Sequence, residues 1–342
     1  MEVHPTRRYQ QKTFAHPLIH LPHTSTFRNM ATPLDVDVNS QRAIADLPQH
    51  IGLDANPKWL AARRHRFTGS MIGALNGMSK YESKASVLRR KLSNQPVKRR
   101  PPLVWGNEHE DDAEEAFFHH VVRHYDNASI DHMGLFVPTK TGYGCLGMSP
   151  DGILTRQENG TEVKELIEYK CPWSWRRKKH IPTIYSMETV RGVHVPMPAT
   201  YYCQIQYGMA LFALEGIHLR ACHFVVWEPT RIAHSIIPYD ETFGQWLVES
   251  SRRIWMEEYW PTHAAQEKAK EAGIAAQGNL SRVESHGPSA GETLPGAGET
   301  VRTPNQTPHR LEKCVPQEKA TKHVRPVERE GVSDLGRKRR RE

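Results

Sequence analysis

The stretch that decides the fold is CLGMSPDGILTRQENGTEVKELIEYKCP, residues 145–172. Its apolar residues fall into strand-like runs on either side of Gln157-Glu158-Asn159-Gly160, and an Asn-Gly pair between two such runs reads as the turn of a hairpin. Each run carries an acid at its edge: Asp151 opens the first and Glu168 sits near the end of the second. Successive side chains alternate faces in a strand, so Glu168 and Lys170 should project together while Tyr169 turns away. If Asp151 starts the neighbouring strand, two carboxylates and one ammonium converge.

Working outward, apolar spacing predicts helices over 58–64, 68–75, 84–92, 105–125, 200–214 and 241–259. Strands are predicted over 133–137, 143–148, 152–155, 163–169 and 220–227. Helices, then strands, then helix, strand and helix give an α/β class, with a mixed central sheet flanked by helices. All eight tryptophans lie between residues 57 and 262. Residues 1–52 hold scattered Pro, His and Thr without periodicity and read as a disordered leader. Residues 53–262 form the folded domain, and 263–342, rich in Gly, Pro, Ser, Thr, Glu and Lys, read as a disordered tail. His16, His20 and His23 in the leader are separated by Pro17 and Pro22, which break any helix that would align them for a metal.

The 342 residues carry 46 basic and 38 acidic side chains, a formal charge of +8, which is mild for this length and compatible with a polyanionic partner. No apolar run is long enough to span a bilayer, and the first residues lack the pattern of a secretory signal. The five cysteines are odd in number and widely spaced, which argues against a disulfide framework or a structural zinc site. The run Arg337-Lys338-Arg339-Arg340-Arg341 suits nuclear import or phosphate binding, or is a solvated charge run.

Two carboxylates with a neighbouring lysine suit phosphodiester hydrolysis, because a hard cation is held by a few carboxylate oxygens. By itself the spacing reads rather as a surface ion pair between strands. The surrounding motifs extend the reading. Trp59, Arg63, Thr68, Gly69 and Ser70 form one; Trp105, Gly106, Glu110 and Ala113 a second. Ser149-Pro150-Asp151-Gly152 and Glu168-Tyr169-Lys170-Cys171-Pro172 are the third and fourth, and Tyr201, Gln204, Gln206 and Met209 the fifth. This series, in this order over roughly residues 57–261, resembles the PD-(D/E)xK nuclease superfamily, and within it the branch of lambda exonuclease and the YqaJ-like viral recombinases. Herpesvirus alkaline nucleases are more distant relatives.

The resemblance implies a restriction-endonuclease-like fold and an exodeoxyribonuclease that runs 5′ to 3′ on linear duplex DNA, leaving 3′ single strands for recombination or viral genome processing. It implies Mg²⁺ or Mn²⁺ at Asp151, Glu168, Glu110 and the backbone carbonyl of Tyr169, with Lys170 and Gln204 completing the catalytic group. Arg63, Thr68 and Ser70 would bind the terminal 5′-phosphate, and Tyr201 would stand on the substrate side, supporting Gln204. Some relatives form a toroidal trimer, and many work with a single-strand annealing protein.

Independently of the resemblance, Arg63 offers a fork of donors, and Thr68 and Ser70 sit at an expected helix start, where an anion is favoured. A plain N-cap is the other reading of Thr68. Trp173-Ser174-Trp175-Arg176-Arg177-Lys178-Lys179 reads as a strand-binding groove or as a packed tryptophan pair beside a basic helix. His109, His119, His120 and His124 read as surface or packing residues. An endonuclease or RNA-cleaving enzyme on the same fold, or a DNA-binding recombination factor without catalysis, would use the same scaffold. The asp-to-glu interval is longer than in the phage enzyme, and the Pro-rich stretch 180–198 has no assignable path.

Overall fold

A computed structural model describes residues 2–3, 7–8, 30–51, 54–93, 100–176 and 188–284. In chain order, the first elements are β1 (Glu2–Val3), β2 (Arg7–Arg8), α1 (Val38–Ala45), β3 (His50–Ile51), β4 (Asp54–Ala55), α2 (Pro57–Arg63), β5 (Phe67–Thr68), α3 (Gly69–Leu75) and α4 (Lys84–Ser93). Next come α5 (Pro101–Glu108), α6 (Glu110–His120), β6 (Ser129–Asp131), β7 (Leu146–Gly147), β8 (Gly152–Glu158) and β9 (Thr161–Lys170). The last are β10 (Glu188–Val190), β11 (Val193–Val195), α7 (Ala199–Ala213), β12 (Leu219–Glu228), β13 (Arg231–Pro238), α8 (Glu241–Ile254) and α9 (Trp260–Glu284).

The central sheet runs β1-β13-β12-β9-β8-β6, with β2 also on β13. It is mixed: β9 and β12 pair in parallel, whereas β8–β9 and β12–β13 are antiparallel. Asn159 and Gly160 join β8 to β9 with φ of 53° and 77°, the left-handed pair that a two-residue hairpin turn needs. Alternation along β8, β9 and β12 divides the core. Ile153, Leu166, Phe224 and Val226 pack on one side with residues of α3, α7 and α8. Leu154, Ile167, Tyr169, Val225 and Trp227 pack on the other against Ala113, Ala116 and Phe117 of α6. The architecture is therefore the expected mixed sheet flanked by helices.

Several elements differ from expectation. Residues 30–51, expected in a disordered leader ending at 52, contain α1 and are tied to the domain by polar contacts. Asp35 accepts from the Gly142 and Gly144 N–H groups at 2.8 and 2.9 Å, Gly134 N–H donates to the Ala45 carbonyl, and Gln49 Nε2 donates to the Pro150 carbonyl. Backbone tethers of this kind leave no apolar period in the sequence. The helix expected over 105–125 breaks at His109, so that Glu110 begins α6 with Asp111 and Asp112 beside it, three acids at a helix N-terminus. Residues 263–284, expected in the tail, continue as α9 after a π turn over Trp255–Tyr259. Residues 133–137 make only the bridge Phe136–Met148. The His-rich run of the leader, Arg177 to Lys179, most of the Pro-rich stretch and the basic C-terminus lie outside the described residues. Among the described residues, no helix is long and apolar enough to cross a membrane.

Candidate active site

The end of β9 behaves as strand alternation requires. Tyr169 points to the α6 side, edge-on to Phe117 at 6.1 Å, while Glu168 and Lys170 face α7. Lys170 Nζ donates to Glu168 Oε1, and Gln204 Nε2 from α7 donates to the same oxygen at 2.5 Å. Asp151, immediately before β8, accepts the Tyr169 N–H at 2.6 Å. Tyr201, one helical turn before Gln204, places its ring 5.2 Å from Lys170 Nζ. The hairpin thus brings Asp151, Glu168 and Lys170 together, and α7 adds Gln204 and Tyr201.

The electrostatics follow from burial. Asp151 and Glu168 are both shifted up, Glu168 to about 7, by loss of water and, for Glu168, by the charge of Asp151; Lys170 opposes both shifts. Glu110, at the first position of α6, is pushed up to about 8 by burial and then by Asp151, so it belongs to the same field. Lys170 is partly withdrawn from water, which would lower its pKa, but Glu168 and Asp151 outweigh that and hold it protonated.

Do these residues fit a divalent cation? Glu168 Oε2 is buried with no hydrogen-bond partner, and carboxylates shifted up by burial and, for Glu168, by the neighbouring Asp151 charge are relieved by a positive ion. Oxygen donors of this kind suit Mg²⁺ or Mn²⁺. Among the described residues, no three His, Cys, Asp or Glu side chains are gathered tightly enough to form a finished metal cluster. The acids are instead drawn to separate partners, Asp151 to the Tyr169 N–H and Glu168 to Lys170 and Gln204.

A second group lies two residues upstream of Asp151. Arg63, at the end of α2, stacks its guanidinium 4.2 Å from the Trp59 ring and donates to Ser149 Oγ at 2.7 Å and Thr68 Oγ1 at 3.2 Å. Trp59 Nε1 also reaches Ser149 Oγ, at 3.2 Å. Thr68 occupies the N-cap position of α3, yet its hydroxyl makes no capping bond, so the plain N-cap reading fails there. Arg63 has no carboxylate partner among the described residues, and burial lowers its pKa only to about 10, leaving it charged. Ser70 is exposed on the first turn of α3, with no side-chain hydrogen bond among the described residues.

Ser149 was not among the ligands expected from sequence. The signal that could have found it is its place directly before Pro150-Asp151, in the loop that leads into β8. Beyond Lys170, Trp173 meets Trp105 edge-on at 5.7 Å and carries the Arg176 guanidinium over its ring at 3.1 Å, while Trp175 is buried. His109 bonds Asp112 and stacks on Trp227, which agrees with a packing role.

A mixed sheet with a carboxylate pair and lysine at the end of its central hairpin is the arrangement that the resemblance to the PD-(D/E)xK nucleases leads one to expect. The description of the YqaJ-like viral recombinase domain matches residues 58–213, from α2 to the end of α7, so that a little under half of the chain is similar to that family. Among solved structures, similarity is found to an alkaline exonuclease, LHK-Exo, from Laribacter hongkongensis, alone and in complex with dAMP. Each is 19% identical and covers 64% of this chain and 100% of that chain, with a TM-score of 0.45. SSO0001 is similar at 17% identity over 56% of this chain and 76% of that chain, with a TM-score of 0.29. No curated protein matches.

Proposed function

We propose that this chain is a divalent-cation-dependent exodeoxyribonuclease that digests linear duplex DNA from 5′-phosphorylated ends, leaving 3′ single strands for recombination or viral genome processing. The observation that carries the reading is Arg63: a half-buried, charged guanidinium without a carboxylate partner among the described residues, bracketed by the hydroxyls of Thr68 and of Ser149, the latter two residues before Asp151 in the chain. A terminal phosphate supplies the missing negative charge and accepts from the fork.

In this reading Asp151, Glu168, Glu110 and the Tyr169 carbonyl hold the cation, Mg²⁺ or Mn²⁺. Bound there, it supplies Lewis acidity toward water and the phosphoryl oxygens. The chain's own residues do the rest. Arg63, Thr68 and Ser149 fix the end of the strand, with Ser70 on the adjacent turn. Gln204 fixes the carboxylate of Glu168. Lys170, held protonated, orients the attacking water or neutralises developing charge rather than removing a proton. Tyr201 shields and steers the Lys170 ammonium.

The test is Mg²⁺-dependent digestion of linear duplex bearing 5′-phosphate or 5′-hydroxyl and of closed circular duplex, with Glu168→Ala as the blank. Rapid loss of the phosphorylated linear DNA alone is expected. Cleavage of circles would make the chain an endonuclease, and activity no greater than the blank would sink the enzymatic reading. The basic run 337–341 suits nuclear import; unchanged accumulation of a tagged protein lacking it would count against that assignment.

A further inference from the structure

The last turn of α2 has two sides. Arg63 turns toward Ser149, and Arg64, about 100° further round the helix, turns toward a different cavity of about 220 Å³ formed with α4 and α9. Arg64, Lys91 and Lys270 line it with His65 and His263, and Glu267 is its one acid. Arg64 is exposed and makes no ion pair among the described residues. Lys270 and Glu267 pair at 2.6 Å, which leaves Arg64 and Lys91 as uncompensated charge.

The cavity is held by specific bonds. Lys91 Nζ donates to the carbonyls of both Arg63 and Arg64 at 2.8 Å, stapling α4 to the end of α2. The π turn before α9 sets Tyr259, whose hydroxyl lies 2.9 Å from His65 Nδ1, and Trp255, whose indole N–H donates to the His65 carbonyl at 2.8 Å. His263 stacks on His65 with ring centres 4.4 Å apart. With Nδ1 engaged by Tyr259, His65 has no partner for its second ring nitrogen among the described residues. Such π turns are frequent at functional positions.

The cations also strain one another. Burial first, then the charges of Arg63, Arg90 and Arg66, bring Lys91 down to about 7. Burial, then His263, Lys91 and Arg64, bring His65 down to about 4, with only Glu267 acting the other way. A cavity in which burial and neighbouring arginine charge disfavour protonation of Lys91 and His65 is one where a bound anion restores it.

We propose that this cavity is a second phosphate-binding site, built by Arg64, Lys91, Lys270, His65 and His263, which takes a backbone phosphate of the nucleic acid. Its two sides share one helical turn, so a strand whose end is fixed by Arg63 passes its neighbouring backbone close to Arg64. The choice of nucleic acid as the phosphate source rests on the nuclease reading; the phosphate chemistry does not.

The experiment uses the full chain and the double variant Arg64→Glu/Lys270→Glu, both side chains being exposed, with thermal unfolding to verify folding. Inorganic phosphate is titrated while the ring-proton resonances of His65 and His263 are followed by NMR, assigned with His65→Asn and His263→Asn. Both are expected to shift in the wild type and to stay fixed in the double variant. Affinity for a 5′-hydroxyl duplex is then measured against salt without divalent cation; the double variant should bind more weakly, with a salt slope shallower by about one. A histidine response to phosphate with unchanged duplex binding would assign the site to a free phosphomonoester and overturn the nucleic-acid source. No histidine response would overturn the site itself. Neither readout requires cleavage, so a wild type that fails to digest DNA leaves this result interpretable.

Discussion

Arg63 Nη1 donates to Ser149 Oγ at 2.7 Å, joining residues 86 positions apart in the chain. The contact ties the end of α2 to the loop that delivers Asp151, so the proposed strand-end group and the acid pair are anchored to one another through Ser149. Arg63→Lys keeps the charge but loses the fork that reaches Ser149 and Thr68 together. We expect its preference for 5′-phosphate over 5′-hydroxyl ends to fall by roughly 10- to 100-fold, the value of a charge-assisted hydrogen bond or two. Initial rates on the two end types measure it, and an undiminished preference would remove Arg63 from end recognition.

Lys170 and Gln204 converge on one oxygen of Glu168, but their substitutions should differ in scale. Lys170→Ala removes a half-buried charge beside Glu168 and should lower the cleavage rate by about 10³-fold or more while duplex binding survives. Gln204→Ala removes a group that orients Glu168, for which a loss of about 10- to 100-fold is expected. Single-turnover cleavage with excess enzyme separates the two; equal losses would mean that Gln204 does more than hold the carboxylate.

Gly73 and Gly69 lie on the face of α3 that meets α7. A Cβ on Gly73 would stand 2.9 Å from the Thr200 Cα, so backbone must move, and Gly73→Ala should cost roughly 1–3 kcal/mol in thermal or denaturant unfolding. On Gly69 it would meet Met148 Sδ at 2.7 Å and Gln204 Cγ at 3.1 Å, which are side-chain atoms. Gly69→Ala should therefore spare stability more and cleavage less, because the strain lands on Gln204.

Behind the sheet end, Glu165 accepts from Arg156 and His223, and His223 in turn shares a hydrogen bond with His234 at 2.9 Å. His234 is lowered to about 3 by burial and then by His223, and its Nδ1 is buried without a partner. A histidine that stays neutral in the fold but protonates at its ordinary value of about 6.5 when unfolded makes the unfolded chain take up protons first on acidification. Stability should thus fall as pH drops below about 6.5, by on the order of 1 kcal/mol per pH unit from this group. Glu165 adds to the loss only at lower pH: burial would raise its pKa, but His223 and Arg156 hold it well below the usual range, so its contribution is present above about 4.5 and disappears under it. The melting temperature of the wild type should fall relative to that of His234→Phe as pH drops through this range; a constant gap would exclude His234 as the source.

How much of this was legible beforehand can be traced residue by residue. The hairpin was written in the Asn159-Gly160 pair and the alternation on either side, because turn conformation and strand alternation are local. The same alternation put Glu168 and Lys170 on one face and Tyr169 on the other. Helix α6 shows the limit: its apolar residues gave its face, but the break at His109 that sets Glu110 at a helix start was carried by three consecutive acids rather than by hydrophobic period.

The sequence by itself determined the class of fold, the hairpin and the types of side chain available for chemistry, since propensity, pattern and motif spacing act over short distances along the chain. Only the tertiary structure decided that Ser149 completes the Arg63 group, that Tyr201 meets Lys170, that residues 30–51 are tied in through Asp35 and Gln49, and that the π turn before α9 closes a basic cavity on Arg64. Those contacts join residues tens to nearly two hundred positions apart, and a hydrogen bond across that distance depends on where packing brings two backbones together, which no local pattern encodes.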